Sequence, residues 1–200
     1  VLLALLFPMT QNLLEKGSRA TCSGNLRAIG AAFDLLLVEN GGAYPSYSSN
    51  PDPADTGVWF NKLRPYLGVD DTKGIGVTQP RVFKCPSNRN HEWNYNRLSY
   101  GYNNYLGNND PSISQFLRVR KPAITHPSTT ILCADGDSRE ETFNSFIDRE
   151  WRGPGVIHDG GANVLFTDGH VEWKRREDVT FPTWSEEAMR FYGVYGRYAW

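Results

Sequence analysis

From Cys22 onward the apolar residues Cys22, Leu26, Ile29, Phe33 and Leu36 recur at intervals of four, three, four and three. That is the spacing of one face of a helix lying on a body. Upstream, the run VLLALLFPM (residues 1–9) is apolar on every side and has no face to give to water. Read as one helix, the first forty residues span about 60 Å at a rise of 1.5 Å per residue. A compact domain made of the rest of the chain is only roughly 35–40 Å across. One end of the helix must therefore protrude, and it is the apolar end. Gly41-Gly42 supplies the stop.

This apolar start is too short to cross a bilayer, which takes about twenty residues. A secretory signal fits poorly as well, because no basic region precedes it and no small-residue cleavage site follows. The expectation is a chain that begins partway through a longer apolar helix. Pro8 removes a helical hydrogen bond, and Gly17 and Gly24 weaken the helix further, which predicts a kink or an unwound stretch near residues 8–17. The plainer alternative is an ordinary core helix with a frayed start. The division expected is a protruding helix over 1–41, with an apolar half (1–16) and an amphipathic half (18–40), and a β-rich head over 42–200.

Nothing in the charge points to nucleic acid: 21 basic and 22 acidic residues leave a net charge of -1. Lys174-Arg175-Arg176 reads as a solvated strand end. The 19 glycines and 12 prolines imply many turns. VWFNKLRPYLG (58–68) predicts a short helix, and RVFKC (81–85), LSYGYN (98–103) and STTILCA (128–134) predict strands. The fold class is thus α+β, a long N-terminal helix packed on an antiparallel sheet. The loop over 43–57 and the aromatic C-terminus FYGVYGRYAW (191–200) are candidates for exposed contacts. Of the three cysteines, Cys22 and Cys85 have the more exposed surroundings and are expected to bridge helix to loop, implying an oxidising compartment. Cys133 reads as a small buried hydrophobe.

Residues 156–173, VIHDGGANVLFTDGHVEW, hold two Asp-Gly pairs and two histidines. Acidic and imidazole groups at short spacing suit a metal, yet Asp-Gly is also a strong hairpin signal. Read as a C-terminal meander, the segment puts His158 and Asp168 at opposite ends of its central strand, about 13–20 Å apart at 3.3 Å per residue. They cannot then share an ion. Asp168 can accept N–H bonds within its own turn at Gly169, and His158 can bond across the first turn. Asp135, Asp137 and Asp159 are weak candidates for a structural calcium, without the spacing of a full EF-hand loop. No other metal or cofactor is expected. No nucleophile motif, zinc-protease motif, phosphate loop or C-x-x-C occurs, so no catalytic residue is assigned and the chain is not expected to be an enzyme.

His158, nine intervening residues, then Asp168-Gly169 resembles the C-terminal signature of a prepilin-type group among type IV pilin-like proteins and pseudopilins. CSGNLRAIGAAFDLLLVENGGAYP (22–45) is similar to the group's helix-to-loop segment, and VFKCPS followed by LSYGYNNYLG to its middle. Pro8 stands where such pilins carry a helix-disrupting proline. The leader peptide and the first apolar residues of that pattern are expected upstream of Val1.

The resemblance implies a subunit held in the inner membrane by its assembly machinery and then polymerised into an extracellular filament of identical copies. Val1, Leu2, Leu3, Leu5, Leu6, Phe7, Pro8, Leu13 and Leu14 would form the filament core, with Leu26, Ile29, Phe33 and Leu36 seating the head on the helix. The rivals are a minor pseudopilin of a secretion system and a membrane-tethered surface module that binds calcium or carbohydrate.

Overall fold

In a computed structural model the described residues are 2–46, 58–68, 81–88, 98–107, 119–136, 146–147, 153–181 and 185–192, with the side chains of 2–9 and of 189 excepted. The chain is α+β. Helix α1 (Leu2–Glu39) is followed by the short helix α2 (Trp59–Leu63), and α3 (Glu186–Tyr192) closes the described part. Between them lie the strands β1 (Tyr100–Asn103), β2 (Ile131–Asp135), β3 (Phe146–Ile147), β4 (Gly161–Phe166) and β5 (Val171–Arg175). They form one sheet in the order β3-β1-β2-β4-β5. Every pairing is antiparallel except β1 with β3, which is parallel, so the sheet is mixed rather than wholly antiparallel.

Helix α1 lies across the sheet on the predicted stripe: Cys22, Leu26, Ile29 and Phe33 are fully buried and Leu36 nearly so. Gly30 lets the helix approach β4 closely, since a Cβ there would stand 3.1 Å from Leu165 Cδ1. Phe33 is the hub of the contact. Its ring stacks on Trp59 of α2 at 5.8 Å and on Tyr102 of β1 at 5.4 Å. Burying side chains of this size contributes about 1.5–3 kcal/mol each, which is why α2, five residues long, persists. The helix stops where Gly41 and Gly42 take positive φ and the Gly42 N–H donates to Leu37 O.

Three expectations are corrected. The unwound stretch expected near residues 8–17 does not occur, since α1 is helical throughout it; one missing hydrogen bond does not stop a helix that continues on both sides. Residues 81–83 form a 3-10 turn rather than a strand. Prolines at 80 and 86 bracket that segment, and the turn buries Phe83 against Trp59 while bringing Cys85 back to the helix. The meander loses its first strand: residues before 159 contribute only an isolated bridge, His158 to Gly161. Asp159 (φ 51) and Gly160 (φ 78) make that turn so tight that the chain enters β4 at once.

Candidate functional site

Where α1 leaves the sheet, side chains from six segments of the chain converge. Glu15, Arg19 and Cys22 come from α1, spaced so that they share one side of the helix. Cys85 follows the 3-10 turn, Asp135 ends β2, His158 precedes the tight turn, and Asn163 and Trp173 face in from β4 and β5.

Cys22 and Cys85 are joined in a disulfide across 63 residues of sequence. His158 sits directly on it, fully buried, with Nε2 3.3 Å from Cys85 Sγ and 3.4 Å from Asp135 Oδ2. Its other ring nitrogen, Nδ1, is 2.7 Å from Glu15 Oε1. Glu15 also accepts from the Ser87 hydroxyl at 3.1 Å. The histidine backbone bonds to Gly161 in both directions, and its carbonyl accepts from Trp173 Nε1 at 2.9 Å. Arg19 lies over the Trp173 ring, 5.1 Å from its centroid.

Asp135 is fully buried. Its Oδ2 accepts from the Asn163 backbone N–H at 2.7 Å and from Asn163 Nδ2 at 2.8 Å, while Oδ1 has no hydrogen-bond partner among the described residues. Burial pushes this carboxyl up to about 6, against the opposing pull of His158, the Asn163 donors and Arg19. Tyr100 hydroxyl, bonded to Asn25 Nδ2 at 3.0 Å, is also raised, first by burial and then by the Asp135 charge. Gly161 makes the close packing possible: a Cβ there would fall 2.3 Å from Lys174 O and 2.7 Å from Trp173 Cζ2.

The two halves of the His-to-Asp-Gly signature therefore do different things. His158 bonds across its own turn through its backbone, as expected, while its imidazole belongs to this buried seam and reaches Glu15 and Asp135. Asp168, beyond the far end of β4, accepts from the His170 backbone N–H at 3.1 Å and pairs with His170 Nδ1 at 2.6 Å, both side chains part-exposed. Gly169 takes the positive φ of that turn. Of the calcium candidates, Asp135 has sulfur and imidazole for neighbours, Asp159 is exposed in its turn, and Asp137 lies outside the described residues.

Among the proposed core residues, Leu2, Leu3, Leu5, Leu6, Phe7 and Pro8 belong to the backbone of α1, and Val1 lies outside the described residues. Leu13 and Leu14 are 67% and 69% exposed. Cys133 carries no disulfide, and burial pushes its thiol well up. The loop over 47–57 and the C-terminal residues 193–200 lie outside the described residues.

Sequence reasoning did not single out Glu15, Arg19, Asn163 or Trp173. A signal for Glu15 existed, since it precedes Cys22 by two helical turns and so shares its face.

Among the described residues, no helix is long and apolar enough to cross a membrane. Compared with protein-family models, with curated proteins and with solved structures, the chain matches none.

Proposed function

We propose that the chain is a structural subunit of a type IV pilus-like or pseudopilus filament, with residues 42–200 as its head and the apolar start of α1 as its polymerising element. The observation that carries this reading is the way α1 leaves the head. Thr10 through Leu14 are all exposed, and the helix continues from there to Leu2 through an entirely apolar sequence. Leu13 and Leu14, 67% and 69% exposed, need cover that the described part of the head does not give, and copies of the helix or lipid would supply it. Repeated burial of this surface contributes about 25 cal/mol per Å² before association costs are subtracted. A head-to-tail arrangement that does not close on itself yields a helical fibre.

The seam described above suits that role, because it fastens the head to the helix at the point of exit. The proposed setting is an extracellular filament assembled from subunits first held in the inner membrane. The test is electron microscopy of surface-sheared material from cells expressing the chain or its Leu6→Asp variant. The variant should yield no filaments while its head stays folded, and intact fibres from it would refute the core assignment.

A further inference from the structure

We propose that the seam is a zinc site in its dithiol state, with Cys22, Cys85, His158 and Asp135 as the four ligands and Glu15 as the residue that orients the histidine. This inference does not depend on the filament reading.

One ligand atom from each of the four residues lies within 4.8 Å of every other, and all four residues are buried. From usual zinc bond lengths, the nitrogen–oxygen edge of a tetrahedral site is roughly 3.4 Å and the nitrogen–sulfur edge roughly 3.6 Å. The distances from His158 Nε2, 3.4 Å to Asp135 Oδ2 and 3.3 Å to Cys85 Sγ, are close to both. Without their mutual bond the two sulfurs can part to the roughly 3.8 Å of a sulfur–sulfur edge.

Two further observations point to a metal rather than to chance proximity. Glu15 Oε1 stands 2.7 Å from Nδ1, the place of an acceptor for an Nδ1–H, which would leave Nε2, 3.3 Å from Cys85 Sγ, to face the metal. This carboxylate-to-histidine bond is the usual support of a zinc-bound imidazole. Asn163 fixes the Asp135 carboxylate through two donors to Oδ2, while Oδ1, fully buried, has no partner among the described residues. A carboxylate in that position is costly unless something compensates it. Two thiolates with one imidazole and one carboxylate select zinc over the oxygen-seeking calcium and magnesium.

The dithiol is the state in which the chain is synthesised, so no reductant is needed to reach it. On binding, each thiol gives its proton to solvent and its sulfur lone pair to the metal, with no change of oxidation state. The disulfide is the alternative state of the same residues: an external disulfide oxidant takes the two electrons, the sulfurs bond to each other, and the metal is released.

The experiment uses the full chain, reduced with a phosphine and freed of excess reductant under anaerobic conditions, with cobalt(II) as the spectroscopic stand-in. One equivalent should produce intense tetrahedral visible bands and a thiolate-to-cobalt charge-transfer band, both abolished by one equivalent of zinc. The oxidised chain should show neither. His158→Gln and Asp135→Asn should each alter the visible bands, and Glu15→Gln should keep them while weakening affinity about 10–100-fold. If reduction unfolds the metal-free chain, zinc must restore its helical circular dichroism. A folded reduced chain that takes up no cobalt, an unfolded one that zinc does not refold, or bands unchanged by His158→Gln would overturn the assignment.

Discussion

Glu15 and His158, separated by 143 positions in the chain, meet at 2.7 Å through Oε1 and Nδ1. Glu15 is the first residue of α1, counting from Thr10, that is not fully exposed, so this contact marks where the rod becomes part of the body. A hydrogen bond to a charged group contributes about 1.5–3 kcal/mol, less where solvent reaches it as it does here. Glu15→Ala should lower stability by about 1–2 kcal/mol in denaturant unfolding. A double-mutant cycle with His158→Gln should show that the two losses are not additive.

Gly161 and Gly17 should respond to alanine in opposite directions. A Cβ at Gly161 would strike the Lys174 carbonyl at 2.3 Å, whereas nothing among the described residues stands within 4 Å of one at Gly17. Gly161→Ala should cost at least about 2 kcal/mol, the scale of overpacking where backbone must move. Gly17→Ala, inside a helix, should gain about 0.5–1 kcal/mol. Thermal unfolding of the two variants against the parent reads both signs.

Removal of the disulfide should destabilise the head by about 4 kcal/mol, the chain-entropy value for a loop of this length, given the 63-residue separation of Cys22 and Cys85. The comparison is the oxidised chain against Cys22→Ser/Cys85→Ser in urea. A chelator should be present in both so that no metal contributes.

Asp135 gives the seam a pH dependence of known sign. Its carboxyl rises from 3.8 to about 6, chiefly through burial. The folded chain therefore holds this proton more tightly than the unfolded one. The stability it contributes is complete below pH 3.8, declines as pH rises, and is gone above about 6. Asp135→Asn cannot titrate there. The stability of the variant relative to the parent should therefore rise across that window and then level off. Glu15 and Arg19 from α1, Tyr100 from β1 and His158 also face the group, so the difference between the two pH profiles is the quantity to measure.

Much of the architecture was legible in local patterns. The apolar stripe of α1 is a period that a single helix displays without help; Tyr100–Asn103 sits within its strand candidate, and Ile131–Asp135 runs one residue past its own. Phe146–Ile147 was not anticipated, since two residues show no alternation, and its parallel pairing depends on β1 being in place. The 3-10 turn at Arg81–Phe83 escaped because its shape is imposed by partners far along the chain, Trp59 for Phe83 and Cys22 for Cys85. The same reason hid the seam. Residues 15, 22, 85, 135 and 158 have no spacing in common, and only the sheet order carries β2 and β4 side by side beneath the helix.

The position of the disulfide has a mechanical consequence. A pull toward the N-terminal end of α1 bears on the Glu15 contact and, two turns further in, on a covalent bond at Cys22. The helix cannot be peeled from the sheet turn by turn starting at its exposed end. Traction is instead carried across the bond into the segment around Cys85, and the buried stripe of Leu26, Ile29, Phe33 and Leu36 is spared until that bond is cut.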